Sequence, residues 1–175
     1  MVENFDEFLI DHANNEKKAS AVAISMMAHY PDKTVLLEKM ADLALEEMSH
    51  FRQAVKLMVK RGVTPTGDEK DTYINQLIKQ VRKGPEHYFL DRLLMAAVIE
   101  ARGAERFALL AENLRETELR DFYANLARSE ENHHLLFYDL AEQYFLAEKV
   151  EMRWQEWLTI EASIVDQLPI RARLH

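Results

Sequence analysis

Ser129-Glu130-Glu131-Asn132-His133-His134 holds a carboxylate and an imidazole three residues apart, at Glu130 and His133, inside a stretch of helical periodicity. On an α-helix, residues i and i+3 lie one above the other on the same face, so a glutamate oxygen and an imidazole nitrogen at this spacing can reach one metal ion. The same pair occurs earlier, in Glu47-Met48-Ser49-His50. A single pair is a weak signal. Random placement of the chain's Glu and His residues gives about 0.8 matches to Glu-x-x-His, and the sequence has three when Glu131/His134 is counted. Taken singly, each is better explained by charged residues on a solvated helix face.

Spacing changes this. Metal-binding four-helix bundles take a Glu from each of two helices and a Glu-x-x-His from each of the other two. Each pair should then follow a lone Glu on the preceding helix. Glu16 stands 31 residues before Glu47, and Glu100 stands 30 before Glu130. The lone glutamates are 84 residues apart, and the paired glutamates and the histidines 83 each. The chain therefore reads as a two-fold repeat of helical hairpins. Its candidate metal ligands are Glu16, Glu47, His50, Glu100, Glu130 and His133.

Composition sets the outer bounds. A length of 175 residues predicts one domain, residues 1–175, able to bury roughly 70% of its extended surface. Cysteine is absent, which excludes disulfides, thiolate zinc sites and iron–sulfur clusters. No apolar run approaches a membrane span and the N-terminus lacks a signal-peptide pattern, so the expectation is a cytoplasmic protein with no membrane partner. The net charge of −8 argues against a generic nucleic-acid binder, and two divalent cations at the candidate site would offset half of it. Local basic groups remain at Lys56, Lys60 and Arg61, at Lys79, Arg82 and Lys83, and at Arg171 and Arg173. Cations favoured at helix C-termini explain them at least as well as a binding surface.

The four Gly and four Pro punctuate long helical patterns, so the fold class is all-α. The first helix is expected over 3–30, with Leu9, His12, Glu16, Ala19, Ala23 and Met27 on one stripe. His12 is either an outer partner of Glu16 or a structural histidine. The second is expected over 33–61, capped by Asp32, with Met40, Leu43, Glu47, His50, Ala54 and Leu57 inward and Glu46 on the surface. A short helix over 69–82, capped by Asp68, is expected as the crossover of a ferritin-like four-helix bundle. Its basic end makes it a candidate lid or substrate-contacting element, and a plain crossover helix is the simpler reading.

The third long helix, 86–114, carries Leu93, Ala97, Glu100, Ala104, Phe107 and Ala111 on one face, with Glu105 off it. Gly103 and Ala104 would leave space beside a metal, though close helix packing accounts for small residues equally well. The fourth, with Thr117 as its cap, runs to about 147 and turns Phe122, Leu126, Glu130, His133, Phe137, Leu140 and Tyr144 inward. That stripe is more apolar than the one bearing Glu131 and His134. An extra C-terminal helix over 148–168 carries Trp154, Trp157 and Ile164, and Arg171 to His175 read as a tail.

Four carboxylates and two imidazoles form a hard oxygen/nitrogen donor set suited to iron or manganese. The chemistry this predicts is activation of oxygen or peroxide, or oxidation of iron for storage. The residues alone assign no separate acid–base group.

Several runs extend well beyond the candidate ligands: Leu9-Ile10-Asp11-His12-Ala13 with Glu16-Lys17-Lys18-Ala19, Glu46-Glu47 to His50-Phe51, Ile99-Glu100-Ala101-Arg102 with Glu105-Arg106-Phe107, and Phe122-Tyr123 to Ser129-Glu130 and His133. Through them, and through Glu161-Ala162, the sequence resembles the bacterial tRNA 2-methylthio-isopentenyl-adenosine hydroxylase family, MiaE, over nearly its whole length. The resemblance implies a ferritin-like non-haem di-iron monooxygenase holding two iron ions. It implies hydroxylation of the isopentenyl side chain of a hypermodified adenosine next to the tRNA anticodon, with dioxygen and an electron-donating reductase or ferredoxin, in a monomer or dimer. It carries the ligand role onto the same six residues. The sequence departs from the family pattern at Gly103-Ala104, where Ser-Cys is expected, at Asn132, where Arg is expected, and in a shorter N-terminus. A rubrerythrin-like peroxidase or another ferritin-like di-iron oxidase with a non-tRNA substrate is the alternative, and a metal-free helical interaction module is a rival of a different class.

Overall fold

The computed structural model describes residues 1–67, 70–169 and 171–174. Among them are six α-helices, one short 3-10 turn at Val2–Asn4 and no strand. The helices are α1 (Phe5–His29), α2 (Thr34–Arg61), α3 (Thr72–Ile78), α4 (Pro85–Asn113), α5 (Thr117–Tyr144) and α6 (Ala147–Gln167). Two compact units result, residues 1–67 with 171–174 and residues 70–169.

The first unit is the hairpin of α1 and α2. Asp6 and Glu7 lie in the first turn of α1, where the helix dipole favours anions. The helix ends at Tyr30 because Pro31 pushes the residue before it out of the helical region. α2 stops at Gly62, whose φ of 70° is the left-handed conformation glycine tolerates best, and the amide of Val63 closes back on the carbonyl of Met58 at 2.9 Å. The hairpin buries Leu9, Ala23 and Met26 of α1 and Met40, Leu43 and Met58 of α2. The expected stripes shift by one residue at their ends: Met26 rather than Met27 and Met58 rather than Leu57 are buried. Lys33, not Asp32, is the N-cap of α2, with no side-chain bond. Residues 171–174 are packed rather than a loose tail: Ala172 and Leu174 are buried, and the Leu174 amide donates to Asp11 Oδ2 at 2.8 Å.

The second unit is the hairpin of α4 and α5 with α3 and α6 against it. Asp68, the expected cap of the crossover helix, lies outside the described residues. The observed cap is Asp71, whose carboxylate accepts from the Ile74 amide at 3.1 Å. α3 is shorter than expected because the chain after Ile78 is held elsewhere: the Arg82 amide donates to Asp91 Oδ2 at 2.8 Å. α3 is seated on α6, and its Tyr73 and Leu77 are buried. Pro85 starts α4 at the position where a missing N–H costs nothing. Glu116 rather than Thr117 precedes α5, and α5 ends at Tyr144, where Phe145 turns extended. Tyr123 is fully buried, whereas Phe122 is only half-buried.

Asp91 holds this unit's segments together. It is fully buried and accepts from Arg82 Nη2 at 2.8 Å and from Arg153 Nε and Nη2 at 2.8 and 2.9 Å. Arg153 also reaches the Gln80 carbonyl at 3.3 Å. Burial alone would raise the Asp91 carboxyl; the bonds from Arg153 and Arg82 outweigh it and hold the group below the usual aspartate range. A depressed folded pKa gives stability that is present above the unfolded value and lost as pH falls through the folded one. Asp91→Asn should therefore cost about 3–5 kcal/mol at neutral pH, the range for breaking a buried pair. Its urea-unfolding stability should also fall less than wild type's as pH drops below the ordinary aspartate range. Equal pH slopes for the two proteins would show that Asp91 is not the group responsible.

Candidate metal centre

Each hairpin brings its own three candidate residues together. In the first unit, Glu16 comes from the middle of α1 and Glu47 and His50 from one face of α2. His50 Nδ1 lies 3.5 Å from Glu47 Oε2 and 3.6 Å from Glu16 Oε2. Each of the three offers one ligand atom within 4.8 Å of the others. All three are buried, Glu47 at 0% exposure. The register is fixed nearby, where Ser20 Oγ donates to the Ala44 carbonyl at 2.9 Å, one turn beyond Glu16 and one turn before Glu47.

In the second unit, Glu130 and His133 of α5 are buried and Glu100 of α4 is half-buried. His133 Nδ1 lies 3.2 Å from Glu130 Oε2, and Glu100, Glu130 and His133 again offer ligand atoms within 4.8 Å of one another. Here the register bond is His134 Nδ1–H to the Ala97 carbonyl at 3.0 Å, one turn before Glu100. His134 also packs against Trp154, with ring centroids 5.3 Å apart and the planes tilted by 38°. The competing Glu131/His134 pair is thus split between an exposed carboxylate and a structural imidazole.

His12 is fully buried, with Nε2 2.7 Å from Glu16 Oε1. Its ring is thus paired with the Glu16 carboxylate one turn later. Glu46 is exposed, as expected, yet its carboxylate comes within 3.9 Å of His50 Nε2. Glu105 is exposed and points off the Glu100 stripe. Sequence reasoning missed one cluster, in which Glu161 of α6 accepts from the Tyr73 hydroxyl at 3.3 Å and Arg102 Nη1 at 3.2 Å. Burial first, and the adjacent Glu161 carboxylate second, push the Tyr73 hydroxyl far above its ordinary value, so it stays protonated and donates. Only the Ile99-Glu100-Ala101-Arg102 and Glu161-Ala162 runs hinted at this cluster.

Burying an ionised carboxylate costs several kcal/mol even after the protein relaxes. Two glutamates beside one imidazole, repeated in each unit, fit a divalent cation that neutralises them. The donor set contains oxygen and nitrogen but no sulfur, which suits iron or manganese.

Helices and trios together define an all-α, ferritin-like protein carrying buried Glu/His clusters suited to metal. The family described as tRNA-(MS(2)IO(6)A)-hydroxylase (MiaE) matches residues 1–175, and the chain belongs to it. A tRNA 2-(methylsulfanyl)-N(6)-isopentenyladenosine(37) hydroxylase of Pseudomonas putida is 39% identical over 139 residues, covering 79% of this chain and 67% of that protein. A protein of the same description from Salmonella typhimurium is 35% identical over 130 residues, covering 74% of this chain. The matched segment spans only 47%, about half, of the Salmonella protein's length. A solved structure, protein 43 with aldehyde deformylating oxygenase activity from Synechococcus, superposes with a TM-score of 0.93 at 36% identity, covering 99% of this chain and 88% of that one.

Gly103 tests whether the small residues beside this site serve helix packing. A Cβ added there would meet Glu130 Cγ at 3.9 Å, an ordinary contact, and no other side chain of the described residues within 4 Å. Close packing therefore does not require glycine. Gly103→Ala should stabilise the protein by up to about 1 kcal/mol through helix propensity, read by urea denaturation. A loss of stability would mean that the space beside Glu130 is not available.

Proposed function

We propose that this chain is a di-iron tRNA hydroxylase. It adds one oxygen atom to the isopentenyl side chain of a hypermodified adenosine next to the anticodon. The observation that carries this reading is the repeated trio of buried glutamates and histidine in a chain matched over residues 1–175 by the tRNA-hydroxylase family. Glu16, Glu47 and His50 offer the donors for one iron, and Glu100, Glu130 and His133 those for a second. Bound iron would supply the redox chemistry that lets dioxygen react with an allylic C–H bond of the isopentenyl group. The overall balance is C–H plus dioxygen, two electrons and two protons giving C–OH and water. The electrons come from a reductase or ferredoxin.

The chain's own residues have three tasks. Glu47 and Glu130, 0% and 3% exposed, present buried carboxylates whose charge a bound cation would offset. His12 fixes one oxygen of Glu16 and so orients the other. Leu93, Ala97, Phe107, Leu126 and Phe137, all buried on the faces that carry the second trio, keep water from the reacting groups. A tRNA substrate puts the enzyme in the cytoplasm, and we take it to act there as a monomer or dimer.

The Synechococcus structure supports a second reading, since it aligns over 99% of this chain. In that reading the metal site is kept and the substrate is an aldehyde. Nucleoside mass spectrometry separates the two. Incubating iron-loaded, chemically reduced protein with tRNA bearing the isopentenyl-adenosine modification and dioxygen should add one oxygen to that nucleoside. No gain, with iron bound and dioxygen consumed, would leave the aldehyde reading in front. Glu47→Ala and Glu130→Ala should each abolish iron loading, measured by metal analysis; retention of two irons per chain by either variant would overturn the ligand assignment.

A further inference from the structure

A cleft of about 530 Å3 opens between α4, α5 and α6. Ala101, Ala104 and Ala108 of α4, Ala127 of α5 and Leu158 of α6 line it with short or apolar side chains. Charged groups share the lining: Arg102 and Glu161, which pair at 3.2 Å, together with Glu105, Arg128 and Glu131. Glu105 and Glu131 are the two carboxylates that lie off the metal-facing stripes. At Ala104 the cleft reaches the face of α4 that bears Glu100, four residues earlier. Next to it, Gly103 leaves room for a methyl group against Glu130 Cγ.

We infer that this cleft receives the prenylated adenine of the substrate, with the isopentenyl group directed past Ala104 and Gly103 toward Glu130. The inference rests on the tRNA-hydroxylase reading and locates its substrate. The volume falls in the roughly 300–1,000 Å3 range of small-ligand sites. The alanine walls and Leu158 suit the faces of a base and a branched C5 group. Guanidinium planes stack on bases and donate to ring nitrogens, and carboxylates accept from an exocyclic N–H. A linear apolar aldehyde would instead set its chain against five charged side chains, desolvating them without return.

The test uses iron-loaded protein held free of oxygen and the nucleoside isopentenyladenosine as probe, in equilibrium dialysis. Ala101 and Ala127 are half-buried on two different helices lining the cleft, so Ala101→Leu and Ala127→Leu fill it from separate walls. Each should weaken nucleoside binding at least tenfold and raise KM for modified tRNA more than it lowers kcat, with iron content and helical circular dichroism unchanged. Ala108→Leu, at an exposed position of the same lining, replaces either variant if that variant loses iron. If wild type hydroxylates tRNA and the filled variants bind and turn over like it, the cleft is not the substrate site and the hydroxylase reading stands. If wild type neither binds the nucleoside nor hydroxylates tRNA, both fall together.

Discussion

The structure depends on a requirement set by charge. Glu16, Glu47 and Glu130 are each at most 3% exposed, in helices whose neighbouring inward residues are apolar or small. Ionised carboxylates at such depth are unfavourable unless a cation or several donors compensate them. In each unit the arrangement supplies an imidazole close by and a second carboxylate from the facing helix, a geometry with little value for packing and clear value for holding metal. The apolar stripes above and below each trio are what make the burial possible, and the register bonds are what keep the facing glutamates level.

Those register bonds differ in kind although the hairpins repeat. Ser20 to Ala44 uses a small hydroxyl inside the first hairpin, and His134 to Ala97 uses an imidazole that also packs against Trp154 of α6. The second hairpin therefore carries an extra helix, and its register bond is part of that attachment. The cleft lined by Ala101, Ala127 and Leu158 exists because α6 covers this side of α4 and α5 incompletely.

The helical class and the two trios were legible because both rest on period. Stripes of 3.6-residue spacing and a repeat of 83 to 84 residues are properties of the sequence alone. The choice of Glu130/His133 over Glu131/His134 was legible for the same reason, since only the former sits on the apolar stripe. Helix starts were not. Lys33 and Glu116 make no side-chain cap bond, so α2 and α5 begin where tertiary packing sets them rather than where Asp32 or Thr117 would signal. The Asp91 cluster and the Tyr73–Glu161–Arg102 cluster join residues 9 to 88 positions apart, and no local pattern announces such partners. Gly103 was ambiguous in sequence because a helical glycine signals close packing or open space equally. Only the distance to Glu130 separates the two.

The bonds at Asp91 also bear on how freely this chain can change. Arg82 meets the carboxylate through its backbone amide as well as its guanidinium, so part of the tie does not depend on which side chain stands there. Arg153 meets it through side-chain nitrogens alone. Drift at position 82 is thus buffered by the main chain, whereas drift at 153 strips the buried carboxylate of two donors at once. Insertion or deletion between α3 and α4 would move the amide itself, which makes the connector tolerant of substitution and intolerant of a change in length.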